Sequence, residues 1–383
     1  MAGRIYLDWN ATTPLRPEAK AAMARAWEVG GNPSSVHAEG REARRLVEDA
    51  RAAVAAAVGA EAQNVIFTSG GTEANSLALT PGLRRGKGPA AERLLVSTIE
   101  HASVLSGGRF AAEATGHVDV TRAGVVDLDR LRALLDGPPA LVSIMLANNE
   151  TGVIQPVAEA AELVHAAGGL LHADAIQALG KISFDLNSIG ADLLSFSAHK
   201  IGGPKGVGAL VLAGDLEGLA PLLRGGGQEN GRRAGTEDVA GIAGFGAAVR
   251  AALNGREGDA SREERLRARL ETGLRQTSGA VVFAGDTKRL PNTVLFAVPG
   301  MRAETAVIGF DLAGIAVSSG SACSSGKVQP SHVVQAMGFG PELAQGAVRL
   351  SLGWSTTEAD IDSALEAWRK LADGLLRGRR NTA

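Results

Sequence analysis

One cysteine, Cys323, stands in 383 residues, a scarcity that excludes an internal disulfide framework and a cysteine-built metal cluster within a single chain. An excess of one charge is also lacking. The 39 basic and 41 acidic residues leave a formal net charge of −2, so no bulk field draws nucleic acid or a membrane surface. Arginine-rich stretches such as 262–269 read as solvated helix faces. No apolar run approaches the roughly 20 residues that span a bilayer. The chain reaches Asp8 without an apolar signal core, so export is not expected and the cytoplasm is the expected compartment. Internal repeats are absent, and low complexity is confined to alanine-rich helical stretches. What is present is 45% hydrophobic and 21% charged, enough for a sizeable core and two domains.

Short β-rich runs alternate with amphipathic helical stretches, the pattern of an α/β fold with a mostly parallel sheet. Val47, Ala50, Val54 and Ala57 share one helical stripe that Gly59 stops. Strands are expected at 64–69, 94–98, 141–147, 170–174, 192–197 and 207–212. The glycine-rich segment 224–235 predicts a loop, and Thr236-Glu-Asp238 predicts the start of the next helix. Near Gly255 the pattern changes, and Ser261-x-x-Glu264 reads as a capping box opening a charged helix. Strands at 281–283, 292–298 and 347–352 follow. A last helix opens at Thr357-x-x-Asp360, with Ile361, Leu365, Trp368 and Leu375 on one face. The expected division is a large α/β domain over 16–258 and a smaller α+β domain from 1–15 with 259–383.

Chemistry concentrates where apolar strands end. Ser195-Phe-Ser-Ala-His-Lys200 puts a lysine between such a strand and a glycine-rich turn, where partial desolvation makes an amine nucleophilic toward an aldehyde. Most lysines are solvated surface charges, so the segment alone only suggests a Schiff-base lysine. Gly70-Gly71-Thr72 joins a strand to a helix and can cradle a phosphate on backbone N–H groups, or simply form a tight turn with Thr72 as a cap. Asp174 ends the run 170–174, and an acid there needs a cation or donor such as a pyridinium N–H, unless it caps a neighbouring loop. It precedes Lys200 by one strand–connection–strand unit, so both can reach one sheet edge. Gln177, Asn149 and His101 also follow apolar strands, at the edge where ligands of open α/β sheets gather. Arg349, a cation inside an apolar strand, requires a buried anion, either a substrate carboxylate or an internal glutamate. Cys323 stands among Gly and Ser over 318–327, a composition that favours an accessible thiol over core filling.

These residues, taken in order, resemble the cysteine desulfurases of the class-V, fold-type-I pyridoxal 5′-phosphate (PLP) enzymes, most closely the branch with a long cysteine loop that serves iron–sulfur clusters, the nitrogenase-associated type included. The likeness runs nearly end to end through 6–14 (YLDWNATTP), 31–35 (GNPSS), 68–73 (TSGGTE), Glu100-His101, 148–150 (NNE), 172–177 (HADAIQ), 195–200 (SFSAHK), 233–236 (RAGT) and 318–324. It implies a seven-stranded, mostly parallel sheet in the large domain and PLP bound through Lys200. It assigns Asp174 to the ring nitrogen, Gln177 to the phenolic oxygen and His101 to stacking and proton transfer. Gly71, Thr72, Ser197 and His199 would hold the phosphate, with Thr236 supplied by the second subunit of a homodimer. Asn149 and Arg349 would bind the carboxylate of L-cysteine. Cys323 would be the nucleophile that carries persulfide sulfur, and a transient iron–sulfur ligand on transfer to a scaffold or other acceptor protein. Members that serve general cluster assembly carry a longer C-terminal extension than 378–383, so a dedicated or different acceptor is expected. Rival readings are a selenocysteine lyase or another class-V aminotransferase, which needs no such thiol. A non-enzymatic sulfur carrier would leave Lys200, Asp174 and His101 without a task.

Overall fold

The computed structural model describes residues 4–320 and 329–380, the last six by backbone alone. Its main sheet has seven strands: β1 Val65–Thr68, β2 Arg93–Ser97, β3 Thr115–Val118, β4 Ala140–Ser143, β5 Leu170–Asp174, β6 Leu193–Ser197 and β7 Gly208–Leu212. They lie in the order β1-β7-β6-β5-β4-β2-β3. The pairs from β6 through β3 are parallel, while β7 runs antiparallel to both β6 and β1. Strands β4 to β7 are buried along their whole length, as expected where helices cover both faces of a sheet. The strand β3 was not expected: its Thr-Gly-His-Val carries no apolar run, because an edge strand buries little.

The helix Ala38–Ala57 follows its predicted stripe, burying Val47, Ala50 and Val54 in the core below the sheet. Two expected helix starts are corrected. The helix after the glycine-rich loop begins at Val239, three residues beyond Thr236, because Asp238 caps it by accepting the Gly241 N–H at 3.0 Å. It then runs unbroken to Arg275, so Ser261 and Glu264 are interior residues and form no capping box. Interior glycines such as Gly255 and Gly258 each cost about 1 kcal/mol relative to alanine. Packing outweighs that. Val249 and Ala252 join the core under the sheet, whereas Leu266, Leu270 and Leu274 join a second core with Phe296 and Trp368. One helix thus carries both cores.

The second core lies on a four-stranded antiparallel sheet that contains Thr293–Ala297 and Val348–Ser351. The predicted capping box does open the last helix, Glu358–Arg380. Thr357 N–H donates to Asp360 Oδ2 at 2.9 Å, and Asp360 N–H donates to Thr357 Oγ1 at 3.2 Å. Ile361, Leu365 and Trp368 are buried as its stripe predicts. The N-terminal segment ties the halves together. Leu7 sits in the second core, and Thr13 N–H donates to the His199 carbonyl at 2.9 Å beside the main sheet.

Candidate active site

The carboxyl ends of β4, β5 and β6 are adjacent and point the same way, so the residues that follow them converge. They line one cavity of about 260 Å³. Asp174, Gln177, Ser197, His199 and Lys200 come from β5 and β6, His101 and Asn149 from the segments after β2 and β4, and Gly71 and Thr72 from the start of the helix Gly71–Ala78. Arg349 reaches in from the antiparallel sheet, and Asn10 and Ala11 close the top. Ten of the residues singled out in the sequence therefore meet in one place. A larger cleft of about 520 Å³, bordered by Phe184, Arg256 and Lys288, holds none of them.

Glycines let the backbones approach. A Cβ on Gly71 would lie 2.3 Å from Ile176 Cδ1, so any larger residue at the helix start would push the Ile176 side chain aside. A Cβ on Gly208 would lie 2.6 Å from the Gly70 carbonyl carbon. The cap residue of that helix is Gly70, with no side-chain cap, so Thr72 is a first-turn residue rather than the N-cap. The helix therefore keeps its first-turn N–H groups for an anion.

Asp174 accepts Asn75 Nδ2–H at 2.9 Å and the Ile176 N–H at 3.0 Å. Burial pushes its carboxyl above the usual range, opposed by those two hydrogen bonds and by His101 and Lys200. Behind it lies Glu100, fully buried, whose Oε1 accepts Ser97 Oγ–H at 2.9 Å and the Met145 N–H at 2.6 Å. Burial, then the charge of Asp174, drives the Glu100 carboxyl well above the usual range, which favours its neutral form. Both carboxyls accept two hydrogen bonds; what separates them is that the charges of His101 and Lys200 favour ionisation of Asp174, whereas Glu100 meets only the like charge of Asp174.

Lys200 Nζ donates to the carbonyls of Asn10 at 2.7 Å and Ala11 at 2.8 Å. His199 is pushed down to about 4, by burial first and then by Lys200 and Lys205, so it is neutral near pH 7, with Nδ1 3.1 Å from Thr12 Oγ1. His101 accepts the Ser103 N–H on Nδ1 at 3.1 Å, which leaves the ring proton on Nε2. Gln177 Nε2 donates to the Asn10 carbonyl at 3.0 Å and Oε1 accepts Lys181 Nζ–H at 2.7 Å, so its amide is already spoken for on two sides.

Arg349 has an internal anion, but it is Asp8 rather than a glutamate: Nη2 donates to Asp8 Oδ1 at 2.9 Å, and Nη1 to the Asn149 carbonyl at 3.0 Å. Its Nε and the Asn149 Oδ1 are buried without a hydrogen-bond partner. Thr236 is not in this cavity. It lines a separate one of about 150 Å³ with Glu237 and Arg233. Cys323 lies outside the described residues.

Sequence reasoning missed Ser103, which lines the cavity, and Asn75, Glu100 and Lys181 just behind its wall; only Glu100 was quoted, as a neighbour of His101. Also missed was a polar row across β4, β5 and β6. His172 Nδ1 lies 2.8 Å from Ser143 Oγ and Nε2 lies 2.8 Å from Ser195 Oγ. Burial holds this imidazole down at about 3, against an ordinary value of 6.5. The folded form stays neutral where the unfolded chain binds a proton, so the stabilising contribution is complete above pH 6.5 and is lost as pH falls toward 3. Replacing His172 with Gln should therefore flatten the fall in folding free energy between pH 6 and 4 by about 1.4 kcal/mol per pH unit. Urea titrations at several pH values check this, and identical slopes in the two proteins would refute it.

The donor set fits PLP. It offers a cavity-facing amine, a buried acid for a ring N–H, an uncapped helix start with hydroxyls for a phosphate, and orphaned Asn149 Oδ1 and Arg349 Nε for a polar substrate. A family model described as class-V aminotransferase matches residues 5–364. The chain is 45% identical over 379 residues to a protein of Cereibacter sphaeroides named cysteine desulfurase, with 97% of this chain and 96% of that one covered. It is 40% identical over 381 residues to one of Dictyoglomus turgidum named cysteine desulfurase IscS, with coverage of 98% and 96%. The solved structure of a NifS-like protein from Rickettsia africae matches with a TM-score of 0.88 at 35% identity, covering 97% of this chain and 99% of that one. By fold, cavity and sequence together, the chain belongs to the class-V aminotransferase family of PLP-dependent enzymes.

Proposed function

We propose that this protein is a cysteine desulfurase, converting L-cysteine to L-alanine and passing the sulfur, as a persulfide on Cys323, to an acceptor protein for iron–sulfur cluster assembly. The observation that carries this is the convergence of Lys200, Asp174 and His101 with Asn149 and Arg349 on one cavity. That places an amine and an acid for PLP beside groups suited to an amino-acid carboxylate. PLP, when bound, supplies an electron sink for charge developing at the substrate Cα.

The protein's own residues do the rest. Lys200 Nζ would hold the cofactor covalently and move the Cα proton. Asp174 would hold the proton on the ring nitrogen, and Gln177 would offer its remaining N–H to the phenolic oxygen. Gly71, Thr72, Ser197 and the neutral His199 would take the phosphate. His101, with its proton on Nε2, can stack on the ring and donate at the substrate sulfur. Arg349 and Asn149 orient the carboxylate. The thiolate of Cys323 attacks the substrate sulfur: the C–S bond breaks, an S–S bond forms, and alanine and enzyme persulfide balance cysteine and thiol. On delivery Cys323 serves as a transient iron–sulfur ligand.

A homodimer is part of this reading. Thr236 lies outside its own chain's cavity, and Trp27 and Val36 are 71% and 88% exposed, apolar surface that a second subunit can cover. The large domain 16–258 would hold the cofactor and the remainder the cysteine segment, in the cytoplasm. Among the described residues no helix is long and apolar enough to cross a membrane.

Cys323→Ala tests the assignment. It should keep the yellow absorbance of bound cofactor while sulfide release from L-cysteine falls by roughly a hundredfold or more. Full turnover in that variant would overturn the role of Cys323. A colourless wild-type protein would overturn the enzyme reading itself.

A further inference from the structure

Behind the cavity wall, Lys181 makes contacts that the proposed chemistry does not use. It sits four residues past Gln177, part-buried, and borders both the larger cleft and a small cavity that Asp259 and Glu263 also line. Nζ donates to Gln177 Oε1 at 2.7 Å and to Asn10 Oδ1 at 3.2 Å. Asn10 is itself a hub. Its carbonyl accepts from Lys200 Nζ at 2.7 Å and from Gln177 Nε2 at 3.0 Å, and its Oδ1 also accepts Asn292 Nδ2–H at 3.1 Å.

An amide has one acceptor end and one donor end, and which end faces a site depends on its neighbours. An ammonium only donates and a carbonyl only accepts, so Lys181 and the Asn10 carbonyl demand the same orientation of Gln177. We propose that Lys181 is a positioning residue that locks the Gln177 amide with an N–H turned into the cavity. This rests on the reading above that Gln177 faces the phenolic oxygen of the cofactor. Lys181 does not line that cavity and acts only through Gln177 and Asn10.

The surroundings suit such a role. Glu263, buried on the long helix, faces Lys181, and Lys200 and Arg349 press on it with like charge. Burial pushes the Lys181 ammonium down and the Glu263 carboxyl up, each countered by the other's charge, with Asp259, Arg262 and Arg16 also acting on Glu263. Lys181 has at least two N–H donors whether charged or neutral, so its hold on Gln177 Oε1 persists in either state.

The test is a double-mutant cycle read on the pH at which the absorbance of the Lys200-bound cofactor changes. A donor to the phenolic oxygen favours the form with less proton on the imine, so its loss moves the midpoint up. Gln177→Ala and Lys181→Met should each raise it, by roughly half to one pH unit, and the double variant should shift no further than the larger single, within about 0.2 unit. An unchanged midpoint in Lys181→Met, or shifts that simply add, would sink the positioning role. If Lys181→Met does not fold, Lys181→Gln decides by the same readings, and loss of a cooperative thermal transition in both makes Lys181 structural and overturns the proposal. No shift in Gln177→Ala alone would instead overturn the reading of Gln177, and wild-type protein without the absorbance would overturn the function.

Discussion

Lys200→Ala should abolish turnover of L-cysteine, by about ten-thousandfold or more, because one atom is lost from two tasks. Covalent holding of the cofactor goes, and so does the base at the substrate Cα, a proton-transfer role that alone contributes roughly 10² to 10⁴. Arginine cannot rescue it, since a guanidinium stays protonated and is no nucleophile. The fold should survive. Lys200 Nζ donates to two carbonyls, Asn10 and Ala11, and hydrogen bonds of this kind are worth about 1 kcal/mol each. Borohydride reduction followed by peptide mapping, alongside alanine formation, checks both parts. A label remaining in the variant, or found away from position 200 in the wild type, would defeat the assignment.

The largest stability effect should come from a residue that takes no part in the chemistry. Glu229 lies in the glycine-rich loop with left-handed backbone, φ +50°, a conformation that non-glycine residues adopt at a cost. Its carboxylate is buried, with a side-chain exposure of 1%, and it accepts Arg51 Nη1 at 2.6 Å, Arg51 Nη2 at 2.9 Å and the Phe67 N–H at 3.1 Å. Glu229→Gln keeps the shape and backbone but leaves the Arg51 guanidinium with only the half-exposed Glu48 at 3.2 Å as an anion, and breaking a buried pair from one side costs up to about 3–5 kcal/mol. Replacing both residues with apolar ones should cost less than Glu229→Gln alone. Denaturant unfolding measures this, and a change under 1 kcal/mol for Glu229→Gln would show that the pair is not what holds the loop. The loop matters because it carries Arg233, paired with Glu73 at 2.9 Å on the helix that starts at the cavity, and runs on to Thr236.

The strands that build the cavity were readable because strands buried on both faces appear as unbroken apolar runs, and the polar residue that ends each run stands out against them. Lys200, Asp174 and Asn149 were found in that way. The strand Thr115–Val118 was not, since an edge position demands no apolar run. The long helix was read as two because Gly255, Gly258 and Ser261 look like an interruption; only the two cores that it joins keep it whole. Arg349 was rightly expected to need an anion. That the anion is Asp8, 341 residues earlier in the chain, follows from the N-terminal segment crossing the antiparallel sheet.

The order of motifs along the chain was enough, unaided, to determine the family, the sheet and the set of polar residues at its carboxyl edge, because local burial patterns and strand ends are written residue by residue. Tertiary structure alone decided the charge state and orientation of that set. The raised Glu100 carboxyl behind Asp174, the low-pKa His199 and His172, Gln177 held between Asn10 and Lys181, and Glu229 clamped by Arg51 all depend on surroundings brought from distant parts of the chain. Burying a charge costs several kcal/mol unless such a partner arrives, and sequence spacing does not say which one will.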